Sequence, residues 1–271
     1  MSDTARVAAP RELPDWLLSH GRPWVTNEEI ASLLAVSPQE ASKVAGRWHA
    51  KYLAFSPARG LQMLIPPEFR SWATVPANYF VDPMMRHLGH TYYVGYLSAA
   101  EVHGAAHQRP QVFQVVTNRR TRDRHFGRVR VEFISSADAA NRPTAVVNTP
   151  TGTMVVSCVE TTVLDLVAHP LRGAGTSNVA TIIAELIGGA KIDAQALAAQ
   201  SAHYPTAVAQ RLGWLIDFAS EHLGVPIDTN PIHQRVGSRI EPAPLIASRP
   251  RRGPLDAHWN VYVNGEVEMD L

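Results

Sequence analysis

Apolar positions recur at helical spacing in the first third of the chain, and the polar residues between them carry helix-start signals. In WVTNEEIASLLAVS (24–37), Ile30, Leu33 and Leu34 share one helical face. Thr26 precedes Glu29 by three residues, the capping-box pair in which each side chain satisfies an orphan backbone donor; Val25 and Ile30 have the spacing of a hydrophobic staple. A second start follows at once. Ser37 caps, Pro38 takes the first helical position and Glu40 completes another box, so the first helix runs only to about Val36. The next helix, in PQEASKVAGRWHAKYL (38–53), places Ala41, Val44, Ala45, Trp48 and Tyr52 on its apolar face. Two short helices joined by a tight turn form a helix-turn-helix unit. LAF and LQMLI then read as strands around the turn residues Pro57 and Gly60, a hairpin in the position of a wing, and ELPDWLLSH (12–20) supplies a third helix. The pattern predicts a winged helix-turn-helix domain over residues 1–80.

Periodicity fades through Pro66, Pro67, Pro76 and Pro83, which places a domain junction at about 66–83 and a second, larger domain over 81–271. Asp82-Pro83 reads as a cap and first turn, opening a helical region through about Ala106; Pro110 stops it from passing Arg109. Strands are expected at 111–117, 128–134, 144–148 and 153–157. In RVRVEF, Arg128, Arg130 and Glu132 alternate with Val129, Val131 and Phe133. Ser157 and Glu160 form a third capping box before VETTVLDLVAHP, a helix ended by Pro170. Residues 177–187, 193–201 and 205–220 read as further helices, and AHWNVYVNGEV as a hairpin turning at Asn264-Gly265. No internal repeat or low-complexity tract interrupts the pattern. The expected class is α+β, an N-terminal winged helix-turn-helix followed by a larger mixed domain.

Composition narrows the function. A 45% hydrophobic and 18% charged chain has the material for a core and is not disordered. Its net charge of +1 excludes a polycation, so any nucleic-acid affinity has to come from a local patch. The single cysteine, Cys158, excludes an internal disulfide framework and a cysteine-rich zinc site, and its place in an apolar run reads as a small buried hydrophobe. The polar start MSDTARVAAP and the lack of a long uncharged apolar span predict a cytoplasmic protein with no membrane segment.

Catalytic signals are weak. His103 and His107 share a helix face as two metal ligands would, but Gly104 stands where a metalloprotease helix needs its glutamate. LIGGAK (186–191) has glycines and a lysine without the spacing of a phosphate loop, and reads as a helix stop. Glu266, Glu268 and Asp270 alternate along the tail with no lysine beside them, the pattern of a solvated edge strand. We expect no catalytic residue, no metal, no cofactor and no enzyme activity.

Binding signals are stronger. Between Ala41 and Pro67 there is no acidic residue, while Lys43, Arg47, Lys51 and Arg59 are basic. Gln39, Ser42, Lys43 and Arg47 fall on the helix face opposite Trp48, the face that enters the major groove in a helix-turn-helix. Gln39 and Ser42 are candidates for base hydrogen bonds and Arg47 for a bidentate guanine contact; Lys51 and Arg59 are placed for phosphate or a neighbouring groove. A second basic run, NRRTRDRHFGRVR, sets Arg119, Arg120, Arg122, Arg124, Arg128 and Arg130 against Asp123 alone. Contact with an acidic protein partner, contact with flanking DNA and simple solvation all fit that run.

YYVGYLSAAEVHGAAHQRPQVFQVVTNRR, then a basic hairpin, then TGTMVVSCVETTVLDLV, resembles the AbiEi antitoxin family of the AbiE abortive-infection, type IV toxin–antitoxin systems. The resemblance covers nearly the whole chain, is most specific at 97–116 and 152–167, and is weaker at RLGWLIDF (211–218). It departs at VETT, which has Thr161 in place of a basic residue before the second threonine. The resemblance implies a winged helix ahead of an antitoxin domain, repression of the protein's own operon through promoter DNA, and antagonism of a nucleotidyltransferase-like toxin in phage defence. The alternatives are a winged-helix phage-defence nuclease, marked by metal-dependent DNA cleavage, and a ligand-sensing regulator, marked by metabolite-dependent operator affinity.

Overall fold

The computed structural model describes residues 9–105, 110–237 and 240–270. The chain is a mixed α+β protein that divides into two compact units. Met1–Tyr93, Gln111–Asn141 and Val146–Val155 form the first; Val94–Pro110, Arg142–Ala145 and Val156–Leu271 form the second.

In the first unit, helices α1 (Leu13–Ser19), α2 (Asn27–Leu34) and α3 (Pro38–Ala50) accompany strands β1 (Trp24–Thr26), β2 (Ala54–Ala58) and β3 (Leu61–Leu64). Both capping boxes form as the sequence predicts, with Thr26 and Glu29 at α2 and Ser37 and Glu40 at α3. Glu29 also pairs with Arg22 at 2.8 Å. Beyond the expected hairpin, β1 adds a third strand, giving the antiparallel order β1-β3-β2. Leu13, Leu17, Val25, Ile30, Ala41, Val44, Ala45 and Trp48 make the core beneath it. Tyr52 does not continue this apolar face. It follows the end of α3 at φ 55°, 58% exposed, where the Leu53 and Tyr52 amides bond the Trp48 and His49 carbonyls and close the helix.

The next helix corrects a sequence expectation. α4 (Ala77–His87) begins before Pro83 and carries it inside. An internal proline cannot donate to the carbonyl four residues back, which here belongs to Tyr79. Thr151 supplies the missing donor, its hydroxyl bonding that carbonyl at 2.7 Å. Nor does Asp82 cap: its carboxylate accepts from the Tyr92 hydroxyl at 2.9 Å and pairs with Arg86 at 2.8 Å. Burial is the first cause of a raised Tyr92 pKa, which keeps the phenol a donor. Thr151→Val should therefore cost about 1 kcal/mol in urea denaturation, the scale of one lost hydrogen bond. An unchanged midpoint would show that water replaces the hydroxyl at Tyr79.

The helical region expected to continue to Ala106 is instead interrupted by β4 (Tyr92–Val94), and α5 (Tyr96–Val102) follows. Strands β5 (Phe113–Thr117), β6 (Arg124–Phe126), β7 (Val129–Ser135), β8 (Thr144–Thr149) and β9 (Gly152–Ser157) complete a six-stranded sheet in the order β6-β7-β5-β4-β9-β8. Most residues of each strand belong to the first unit. β7 runs parallel to β5 and antiparallel to β6, and its alternation buries Val131 and Phe133 while exposing Arg130.

The second unit is largely helical, with α6 (Val159–Ala168), α7 (Thr176–Gly188), α8 (Ala194–Ser201), α9 (Thr206–Leu223) and α10 (Asn230–Val236). Val163, Leu164, Val179, Ile183, Leu212 and Ile216 are fully buried among them. The cap of α6 lies one residue later than predicted. Cys158, half-buried rather than buried, accepts from the Thr161 amide, while Ser157 turns inward to Thr162 at 2.7 Å and the Val94 carbonyl at 3.3 Å. α7 ends at Gly188 and Gly189, as the LIGGAK reading expects.

The tail holds two further corrections. β11 (Leu255–Asp256) and β12 (Val261–Tyr262) pair antiparallel and β10 (Ala243–Pro244) joins β12, so the turn lies before Val261 and not at Asn264-Gly265. The Asn264 side chain instead accepts from the Ile246 amide at 2.8 Å and donates to the Ile246 and Pro250 carbonyls, tying down the 246–250 loop. Residues 266–270 are not an edge strand. The Glu268 and Asp270 amides bond the hydroxyls of Ser177 and Thr181, one turn apart on α7, leaving Glu266, Glu268 and Asp270 exposed.

Candidate nucleic-acid interface

α3 separates its two faces cleanly. Ala41, Val44, Ala45 and Trp48 are buried, while Gln39, Ser42, Lys43, Gly46, Arg47 and Ala50 are exposed. The reason is local: helical spacing puts small and aromatic residues on one side, and the core of α1, α2 and β1 covers that side alone. Trp48 anchors it, with its indole N–H donating to the Pro10 carbonyl at 2.9 Å. Lys51 caps the helix C-terminus and Arg59 occupies the turn between β2 and β3; both are exposed. Glu40, the acid on this helix, is held at its N-terminus by the Ser37 amide and hydroxyl, each at 3.2 Å.

A polar network holds α2, α3 and β3 in register. Buried Gln62 donates to Asn27 Oδ1 at 2.9 Å, and its amide oxygen lies 2.7 Å from His49 Nε2, which must therefore carry the proton. Asn27 in turn donates to Ser42 Oγ at 3.4 Å, and the Ser42 hydroxyl donates back to the Pro38 carbonyl at 3.1 Å. Ser42 is thus exposed with its proton committed, leaving it an acceptor. The sequence reading did not include Asn27 or Tyr52 on this surface. Asn27 is hidden from it because its partner Gln62 is 35 residues away, and Tyr52 because periodicity alone assigns it to the core.

The arginines of the second basic run divide. Arg119, Arg120, Arg122, Arg128 and Arg130 are exposed, while Arg124, half-buried, donates to the Pro57 carbonyl of β2. Arg128 lies over the Trp72 ring at 5.7 Å. Asp123, the acid among them, accepts from the Phe133 amide at 2.9 Å.

The helix face expected to carry His103 and His107 extends beyond the described residues. α5 ends at Val102 and His103 is its C-cap; His107 lies outside the described residues. Gly104, at φ 70°, is the left-handed residue that closes the helix, with its own amide and that of Ala105 bonding the Glu101 and Ala100 carbonyls. His103 Nε2 stands 2.8 Å from the Ser157 carbonyl and so donates, which removes that nitrogen as a metal ligand. Among the described residues no cluster of three or more histidine, cysteine or acidic side chains is arranged to hold a metal. Thr161, the position where VETT departs from the family pattern, is fully buried and donates to Gln200 at 2.9 Å. No described helix is long and apolar enough to cross a membrane.

The crystal structure of the RV2827C protein from Mycobacterium tuberculosis is similar to this chain at 14% identity and a TM-score of 0.62, covering 93% of this chain and 89% of that one, a likeness of fold. No curated protein sequence matches. The AbiEi antitoxin C-terminal domain matches residues 93–218, a span that runs from β4 into α9 and contains both sequence stretches most specific to that family. That match supports assignment of the chain to the AbiEi-type antitoxin family of toxin–antitoxin systems.

Proposed function

We propose that this antitoxin is a DNA-binding autoregulator, with residues 1–80 a winged helix-turn-helix that reads the promoter of its own operon and residues 81–271 the domain that opposes a nucleotidyltransferase-like toxin. In this reading α3 is the recognition helix and the β2–β3 hairpin the wing. One observation carries it: the face of α3 turned away from the core is the face bearing Gln39, Lys43 and Arg47, with Lys51 and Arg59 exposed at its margins. Nothing about packing requires basic residues there, and a groove lined by phosphates does. Gln39 and Arg47 are the base readers and Ser42 accepts a base or water donor; Lys43, Lys51 and Arg59 hold phosphate. The protein acts by binding, without catalysis or cofactor, in the cytoplasm.

The test is the affinity of the full chain for the duplex upstream of its own gene and for random duplex at matched salt. Each phosphate contact adds a slope of about −0.9 to log K against log salt. Lys51→Ala and Arg59→Ala should weaken both duplexes alike. Arg47→Ala or Gln39→Ala should narrow the gap between them, by about 1–3 kcal/mol where a bidentate base contact is lost. Equal wild-type affinity for the two duplexes would sink the regulator reading.

A further inference from the structure

In the second unit the chain from Ile240 to Pro244 runs across the start of α9 and leaves a cleft against it. The cleft measures about 450 Å³, within the range of small-molecule sites, about 300–1,000 Å³. Two side chains in its wall keep hydrogen-bonding capacity that the protein does not use. Gln210 is 1% exposed, and its amide nitrogen donates to the Glu241 carbonyl at 3.2 Å and the Asn260 carbonyl at 2.9 Å. Those bonds fix which end of the amide is nitrogen. They leave Oε1 an acceptor with no donor among the described residues. Arg211 is half-buried and donates through Nε to the Pro244 carbonyl at 2.8 Å. Its Nη1 and Nη2 have no hydrogen bond or ion pair among the described residues. Burial lowers its pKa, and no carboxylate acts the other way. Glu241, the acid in the cleft wall, is paired with Arg251 at 3.3 Å, so that pair is neutral and Arg211 supplies the net charge. Buried polar groups and desolvated ions ordinarily have partners, and neither of these finds a full set within the described chain.

We propose that this cleft binds a small carboxylic acid with a hydrogen-bond donor beside the carboxylate, the chemistry of an α-amino acid or α-hydroxy acid. The carboxylate takes the Nη1–Nη2 edge of Arg211, whose planar fork matches two carboxylate oxygens. The ammonium or hydroxyl group donates to Gln210 Oε1. Gln210 and Arg211 are neighbours in sequence and line the same cleft, which calls for a donor close to the carboxylate. Ile240, Pro242, Ala243 and Pro244 supply an apolar wall for an aliphatic side chain. A phosphate ester fits less well, because it carries more charge than one guanidinium offsets and brings no donor for Gln210. The site lies outside the surface assigned to DNA and does not depend on that reading.

The test is calorimetric titration of the full chain with probes that share one aliphatic body. They are L-leucine, its hydroxy acid, isocaproate, which lacks the donor, and isoamylamine, which lacks the carboxylate. L-leucine or the hydroxy acid should bind with a Kd of about 10 mM or tighter, as expected for a ligand of that size. The better of the two identifies the donor as ammonium or hydroxyl. Isocaproate should bind at least about tenfold more weakly, because it buries Gln210 Oε1 without a donor. Isoamylamine should give no detectable heat. Arg211→Lys keeps the charge but loses the fork, and should weaken binding at least about tenfold. Arg211→Gln should remove it. Thermal melts without ligand check that both variants fold; should either fail, the ligand series on the wild type decides. No binding by either L-leucine or the hydroxy acid overturns the proposal. So does isocaproate or isoamylamine binding as tightly as the better probe. Wild-type affinity in a folded Arg211→Gln protein would place the ligand elsewhere and overturn it too.

Discussion

Trp259→Ala should destabilise the second unit by about 3–5 kcal/mol, the range for removing a buried tryptophan, and Gly213→Ala should cost about 1–3 kcal/mol although it adds only a methyl group. The two effects have one origin. Gly213 lies inside α9, where a glycine costs about 1 kcal/mol relative to alanine. The indole of Trp259, 1% exposed, occupies the space a side chain would take: a Cβ on Gly213 would stand 2.1 Å from its ring. One turn later Asp217 accepts the indole N–H at 2.6 Å and the Thr229 hydroxyl at 2.9 Å, so the ring is pinned and has no way to swing aside. The glycine of RLGWLIDF is there for an aromatic ring 46 positions further along. A double-mutant cycle settles it. Gly213→Ala should cost much less once Trp259 is alanine, giving a coupling of about 0.5–3 kcal/mol between the positions. The measurement is urea denaturation followed by circular dichroism, since the substitution removes a fluorophore. Additive effects would show that the ring gives way to the methyl group.

Trp48→Ala should have a comparable effect on the first unit and remove promoter binding with it. Trp48 is 2% exposed at the centre of the core that α1, α2, α3 and β1 share, and it backs the face of α3 on which the proposed DNA contacts lie. Losing about 3–5 kcal/mol takes a large part of the 5–15 kcal/mol that holds a typical domain. Trp48→Phe separates packing from hydrogen bonding. It keeps most of the apolar volume and gives up the indole bond to the Pro10 carbonyl, whose residue is exposed, so water can replace the donor and the cost should be about 1 kcal/mol plus the volume lost. Promoter affinity should survive in Trp48→Phe and vanish in Trp48→Ala at temperatures where that variant is unfolded. A Trp48→Ala protein that stays folded and binds its promoter would disconnect this core from recognition.

Much of what the sequence determined by itself is local in origin. A capping box needs only residues three apart, and Thr26 with Glu29 and Ser37 with Glu40 start their helices where the sequence places them. The exposed side of α3 follows from the spacing of Ala41, Val44, Ala45 and Trp48, so Gln39, Lys43 and Arg47 were legible as surface from the chain alone. The family resemblance was legible for a related reason: the stretches from Leu97 and from Gly152 carry their pattern of packing positions along the chain, inside the span that the antitoxin domain matches.

The tertiary structure decided what depends on a distant partner. Pro83 looks like the start of a helix until Thr151 answers the Tyr79 carbonyl that it leaves without a donor. Ser157 has the sequence of a cap, but Val94 and Thr162 draw its hydroxyl inward and the cap passes to Cys158. His103 has the spacing of a ligand, and its Nε2–H donates to the Ser157 carbonyl. The arginine run was ambiguous for the same reason, since its neighbour, Pro57 in β2, lies 67 residues away. Periodicity records which face of an element is buried, because that depends on the residues of the element itself. It does not record what covers the face, because a hydrogen bond or ring contact between distant residues requires only that the folded chain bring them together.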